Sequence, residues 1–370
     1  MLEAVVDEDR GLGFITTLDS YGELTPSLNV VDTVAGKLVR TITLGKQPSP
    51  IALDATSGRV YAVHSYQDAP DTVTVLDERS GAIIRTAPLE SLLTVQVAVA
   101  SGAGRIFVVG RGNGILDVLD AVSGQRLRSV PVPVVDEPPT PPTAVLAVDE
   151  RAGHVFVAGG GDAAGRGLVS ILDARSGAPL RTIRVGTYAR AVAVDPRTGH
   201  VFVLDDHAAM LSTLDTSSGA VLRTVGVPRG TGQPGQFGQL VADATAGHVY
   251  VDGGGTNRVA MIDAATGALV RTVALPGHDD QERVFYVNAI DKRTGRVFVL
   301  SEGAPTRAAD ASPPYYLDVL DAHSGVILRI ITLGAASNFP STPYALDARH
   351  GRALVQNSDK TLRLVDISCV

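Results

Sequence analysis

Histidine is the side chain best suited to hold a metal ion or move a proton near neutral pH, and in this chain it stands beside carboxylates in two places. The runs Asp205-Asp206-His207 and His278-Asp279-Asp280 join imidazole to acid, and His64 closes an apolar run in an equivalent place. Drawn together, His64, Asp206 and His207 would suit a hydrolytic metal site. No HExxH-like or paired spacing fixes them in one place, so solvated side chains are the favoured reading and neither metal nor cofactor is expected. His154, His200 and His248 each directly follow a glycine in three copies of one motif, which puts them too far apart to share an ion. Nucleophilic chemistry finds little support: there is no GxSxG elbow, and the single cysteine, Cys369, leaves no disulfide framework. Gly230 to Gly235 spells GxGxxG but joins strands and opens no helix.

The elements that must position these residues come from a repeat. An Asp, three variable residues, a Gly, one more residue and an apolar triplet recur with Gly11, Gly58, Gly104, Gly153, Gly199, Gly247, Gly295 and Gly351. The period is about 49 residues, in the range of propeller blades. A second signature, Leu-Asp, two residues, Ser or Thr, Gly, three residues and Arg, is complete in seven copies, as at Leu172, Asp173, Ser176, Gly177 and Arg181. The eighth stops near Asp366. Each copy reads as four short strands, so the chain is expected to be all-β: a β-propeller of eight four-stranded blades, the last three-stranded, with seven blades as the alternative. Residues 1–370 would form a single domain from units 1–46, 47–91, 92–139, 140–186, 187–229, 230–277, 278–335 and 336–370. The repeated Asp and Gly read as turn formers. The repeated arginines, Arg40 to Arg329, read as charges that protect outer edge strands.

The motif Val-Ala-Val-Asp-Pro-Arg-Thr-Gly-His-Val-Phe-Val, followed by Leu-Asp-Thr-Ser-Ser-Gly-Ala-Val-Leu-Arg-Thr, resembles the YVTN-type β-propeller repeat family over essentially the whole chain. The resemblance implies a binding or surface protein, periplasmic or secreted, and supplies no catalytic residue. Two departures stand out: the family is usually seven-bladed, and Ala100 replaces the turn Asp of the third copy.

Variable loops between second and third strands, and between blades, share one end of each blade, where function is expected. On the innermost strands near that end stand the polar residues Glu3, Gln96, Arg190 and Gln239, read as four residues before the signature position and so expected to point together; from the connections come Tyr188, Phe237, Tyr286, Asn288, Phe339 and Tyr344. Gln96, Tyr188, Arg190, His207, Phe237, Gln239, Tyr286, Asn288 and Tyr344 are thus the candidate ligand-binding residues. The net charge of −7 with mixed signs gives no basic stripe, so no nucleic-acid partner is expected. No apolar run reaches the ~20 residues that span a bilayer, and Met1 leads straight into the first strand without a signal-peptide pattern. The absence of Trp weakens sugar-stacking and quinone readings. A rigid scaffold for a small molecule, peptide or protein partner therefore ranks first. A lactonase-like or metal-assisted hydrolase, and a subunit of a larger surface or electron-transfer assembly, rank behind it.

Overall fold

The seven four-stranded repeats reverse direction through two kinds of turn that satisfy themselves, and the last repeat through the first kind. In the first, the carboxylate of Asp149 accepts from the amides of Arg151 and Ala152, and Asp243 does the same for Thr245 and Ala246. In the second, Asp173 accepts from the amide and hydroxyl of Ser176, and Asp215 from both serines that follow it. These bonds hold the Asp173 and Asp215 carboxyls below the usual range, chiefly through the serine hydroxyls. Where Ala100 replaces Asp, a 3-10 turn over Ser101–Ala103 takes over, and the Ser101 hydroxyl bonds Asp54 of the preceding blade at 2.8 Å.

The computed structural model describes residues 4–17, 27–44, 48–65, 70–110, 112–132, 145–161, 165–205, 207–228, 240–252, 258–275, 285–302, 314–335, 344–356 and 362–368. Among them are 31 strands in eight antiparallel sheets, each in plain meander order, seven of four strands and the last of three. This is the expected all-β propeller with eight blades. Contacts group the chain into two units, Met1–Val192 and Ala193–Val370, and the boundary falls within the first strand of blade five, Ala189–Asp195.

In the first unit the blades cover 4–43, 48–88, 94–131 and 145–184. Their second strands are apolar on both faces because each is covered from both sides, as buried strands require. Ile106 to Val109 is an example, all fully buried. Phe14, Leu28 and Val30 of blade one meet Ile51, Val60 and Leu76 of blade two. Tyr61, Val63 and Val73 meet Val97, Ile106 and Val108, and Phe107, Val109 and Leu116 meet Leu146, Val155 and Val157. The second unit repeats this: Tyr250, Val259 and Met261 of blade six pack on Val297, Val299 and Leu320 of blade seven. Phe298, Leu300 and Leu317 pack on Ala353, Val365 and Ile367 of blade eight.

Polar groups stitch the same seams. Tyr61 donates its hydroxyl to the Ala121 carbonyl at 2.7 Å, and Tyr250 donates to Ala322 in the same way. The outer arginines do more than shield edges. The stems of Arg85, Arg223 and Arg271 lie over Gly124, Gly267 and Gly325 in the second turn of the next blade, and Arg271 also donates to the Ser324 carbonyl at 2.6 Å.

The two turn glycines therefore answer to different constraints. Gly153 and Gly177 are both left-handed, at φ +70 and +67, but a Cβ on Gly153 would meet nothing within 4 Å, whereas one on Gly177 would sit 2.5 Å from Val118 of the neighbouring blade. Gly153→Ala is expected to cost about 1–2 kcal/mol for backbone conformation alone, and Gly177→Ala about 1–3 kcal/mol more for overpacking. Urea unfolding of the two variants checks this, and equal costs would show that the seam yields freely.

Candidate functional site

The turn end repeats from blade to blade, with one register shift beside the second turn in each of the seven four-stranded blades, as between Val118 and Leu119; at the other end, where second strands hand over to third strands and one blade to the next, the departures differ from blade to blade. The first strands of blades two and three, Pro48–Asp54 and Thr94–Ala100, break register near their starts, between Pro48 and Ile51 and at the pairing of Gly110 with Thr94. In the second unit the first strand of blade seven, Phe285–Asp291, breaks register between Val287 and Ala289, which leaves Asn288 as the bulged residue. Leu93 and Ala209, the non-glycine residues at positive φ among those described, also sit at this end, both at +52. Bulges and strained residues of this kind re-aim side chains and recur beside functional sites.

Gln96 lies on the innermost strand as expected, but both ends of its amide are used. Its Nε2 donates to the Leu146 carbonyl at 3.2 Å and its Oε1 accepts from the Leu146 amide at 2.7 Å, so it joins the inner strands of blades three and four like an extra length of backbone. Arg190 departs from the expected position: it stands five residues before Asp195 where Gln96 stands four before Ala100, so alternation turns it to the opposite face of its strand, where it is 8% exposed. Tyr188 is buried with its ring on Gly160, where an added Cβ would come within 2.9 Å of Cε2. Glycine at 160 thus makes room for the ring.

His64 ends the second strand of blade two, buried, with Nε2 3.0 Å from the Thr74 hydroxyl. His207 is half-buried in the hairpin between Asp205 and Met210, where the Asp205 carboxylate is spent on the Ala208 amide. Asp206, Phe237 and Gln239 lie outside the described residues, as do Glu3, Phe339 and His278 to Asp280; Tyr286, Asn288 and Tyr344 are placed by their backbone on the first strands of blades seven and eight. Among the described residues no three His, Cys, Asp or Glu side chains converge as a metal site would need. The repeated histidines work in the seams: His200 Nδ1 contacts the Ala264 carbonyl at 2.8 Å and His248 Nδ1 the Ala322 carbonyl at 3.1 Å, each on the next blade.

The structure also brings forward carboxylates that sequence reading passed over. Asp71, fully buried, accepts from the Thr94 amide and hydroxyl and the Ser65 hydroxyl, fastening blade two to the start of blade three. Asp117 and Asp318 occupy one equivalent position, mid-strand in the third strands of blades three and seven, Ile115–Asp120 and Pro314–Asp321, and both are 0% exposed. The signal was present as Leu-Asp-Val-Leu-Asp in both copies, where the first Asp breaks an apolar run.

The fold and the ends of its blades define a β-propeller. No protein-family model matches the chain, and no curated protein matches it. Similar solved structures include BamB from Moraxella catarrhalis, 16% identical, covering 95% of this chain and 93% of that one at a TM-score of 0.60. Another is the dihydro-heme d1 dehydrogenase NirN in complex with DHE, 13% identical, covering 90% of this chain and 67% of that one at a TM-score of 0.64. At these identities the likeness is one of fold. Among the described residues no helix is long and apolar enough to cross a membrane.

Proposed function

We propose that this protein is a rigid propeller scaffold that binds a small molecule, peptide or protein partner through the loop ends of its blades. The observation that carries this reading is the asymmetry within each blade. Turn-end carboxylates, hydroxyls and amides are consumed by one another and the bulge beside the second turn repeats at one position in seven blades, whereas loop-end bulges differ from blade to blade and the left-handed non-glycine residues among those described lie there. A left-handed non-glycine residue such as Leu93 or Ala209 costs of order 1–3 kcal/mol and persists only where the surrounding structure holds it. Tyr188, Arg190 and His207 stand at that end, with Tyr286, Asn288 and Tyr344 on strands that begin there. The bound DHE named for NirN gives a case of a small molecule carried by a chain of similar fold, and no residue is transferred from it. The YVTN-type resemblance and an extracytoplasmic location belong to the same reading.

The test is to replace 134–142 and, separately, 303–312 by Gly-Ser segments of equal length in the full chain. The partner recovered from an extract of the source cells is then titrated against each variant by calorimetry. At least tenfold weaker binding is expected from one or both, with Ser176→Ala at the turn end binding as wild type. Unchanged affinity in both loop variants, or loss confined to the turn-end variant, would overturn the reading.

A further inference from the structure

At the position after the second signature Asp, six copies carry Ala or Thr, namely Thr33, Ala121, Ala174, Thr216, Ala264 and Ala322, and the last has Ile367; blade two alone carries an acid, Glu78. Its side chain is 2% exposed and lies beneath the first turn of blade one, against Asp7, which is 2% exposed as well. The Glu78 amide donates to the Gly58 carbonyl at 3.0 Å, which fixes the main chain that carries this side chain. One guanidinium serves both acids. Arg10 Nη1 pairs with Asp7 Oδ2, reaches Glu78 Oε2 at 3.1 Å and touches the Ala55 carbonyl of blade two at 3.2 Å, while the Arg10 amide donates to Asp7 Oδ1 at 3.0 Å. Glu78 Oε1 is buried and has no donor among the described residues. Two buried carboxyls against one cation leave a charge that is relieved when one acid keeps its proton.

We propose that Glu78, Asp7 and Arg10 form a proton-operated latch between blades one and two, shut while the two carboxyls share one proton and loosened when that proton leaves. The proton sits on Glu78: burial first, and then Asp7 beside it, push that carboxyl up to about 7. Burial also acts to raise Asp7, but its hydrogen bonds with Glu78 and Arg10 outweigh this and hold it below the usual range. The other charged groups around the cluster are Asp9 on the same turn, and Asp54, Arg59 and Asp77 on blade two. Arg59 is paired with Asp77 at 3.0 Å, and Asp54 is bonded to Ser57 and Ser101, so neither acid is available to take over the role of Glu78. A folded-state value above the unfolded one means stability that is present below the unfolded value and is lost as pH rises through about 7.

Amide exchange of the full-length protein, read on the peptides covering 4–17 and 51–65, tests the latch. Between pH 6 and pH 8, protection of these segments in wild type is expected to fall about tenfold beyond the intrinsic rise in exchange rate. It should stay level in Glu78→Gln and in Glu78→Thr, the latter carrying a residue that blades one and five already hold. Protection that falls equally in wild type and both variants, or in none of them, would overturn the proposal. The two variants keep every other titrating group, so a fall larger in wild type than in both of them belongs to Glu78.

Discussion

Asp117→Ala is expected to lower unfolding stability by about 3–4 kcal/mol, a large effect for one polar side chain. The carboxylate is wholly buried and meets three donors, the Glu90 amide at 2.9 Å, the Ser91 amide at 2.8 Å and the Ser129 hydroxyl at 2.6 Å. Alanine removes every acceptor at once. The Ser91 amide and the Ser129 hydroxyl would then be left in a site with little water, and each unpaired buried donor costs about 1–3 kcal/mol. The loss reaches beyond blade three, because residues 89–93 carry the chain from blade two to blade three. Asn113 holds that segment too, accepting from the Leu92 amide at 3.1 Å and donating to the Glu90 carbonyl at 2.6 Å. Asp117→Asn keeps one acceptor and should lose roughly half as much. Urea midpoints at pH 7 decide the matter: an alanine variant within ~1 kcal/mol of wild type would mean that the connection holds itself.

At the equivalent place in blade seven the opposite sign is expected. Asp318→Asn should stabilise the protein by about 3 kcal/mol at pH 8 and by roughly half as much at pH 5. The residue across from Asp318 on the outer strand is Ile330 where blade three has Ser129, and the sequence counterpart of Glu90 is Pro276, which has no amide hydrogen. What remains among the described residues is the Ser301 hydroxyl at 2.6 Å on Oδ2, with Oδ1 buried and lacking a donor there. Burial pushes the carboxyl up to about 6 against the opposing pull of Ser301. The folded chain therefore holds this proton to higher pH than the unfolded chain. Its contribution is intact below the unfolded value near 3.8, fades as pH rises through about 6, and is gone by pH 8. The measurement is the difference in urea midpoint between wild type and Asn variant at the two pH values, in which the Glu78 contribution cancels. A difference that does not change between pH 5 and pH 8 would show that the carboxyl does not titrate in this window.

Asp117 and Asp318 also show how far a sequence can be read. Both stand in the same five letters, and nothing within the strand tells them apart. One is a satisfied clamp and the other a strained acid because of what approaches from the outer strand and from the preceding connection. Gln96 shows the same limit. Alternation placed it on the innermost strand, but its partner, Leu146, is 50 residues away, and no local pattern announces a side chain that imitates backbone. Arg190 was placed by counting, and one residue of offset was enough to turn it to the other face. The repeated histidines read as separate from one another; that His200 and His248 each contact a carbonyl of the next blade is visible only in three dimensions.

The amino-acid sequence by itself determined the eight copies, the strand order within each, and the two kinds of turn that join their strands. Those features rest on hydrogen bonds between residues two to four apart and on side chains that alternate along short strands, and such interactions are written in adjacent letters. Tertiary structure alone decided which polar groups are spent in the seams and which buried acids are left short of partners. The reason is that desolvation and hydrogen-bond supply at Glu78, Asp117 and Asp318 are set by neighbouring strands and blades, whose approach carries no local signature in the chain.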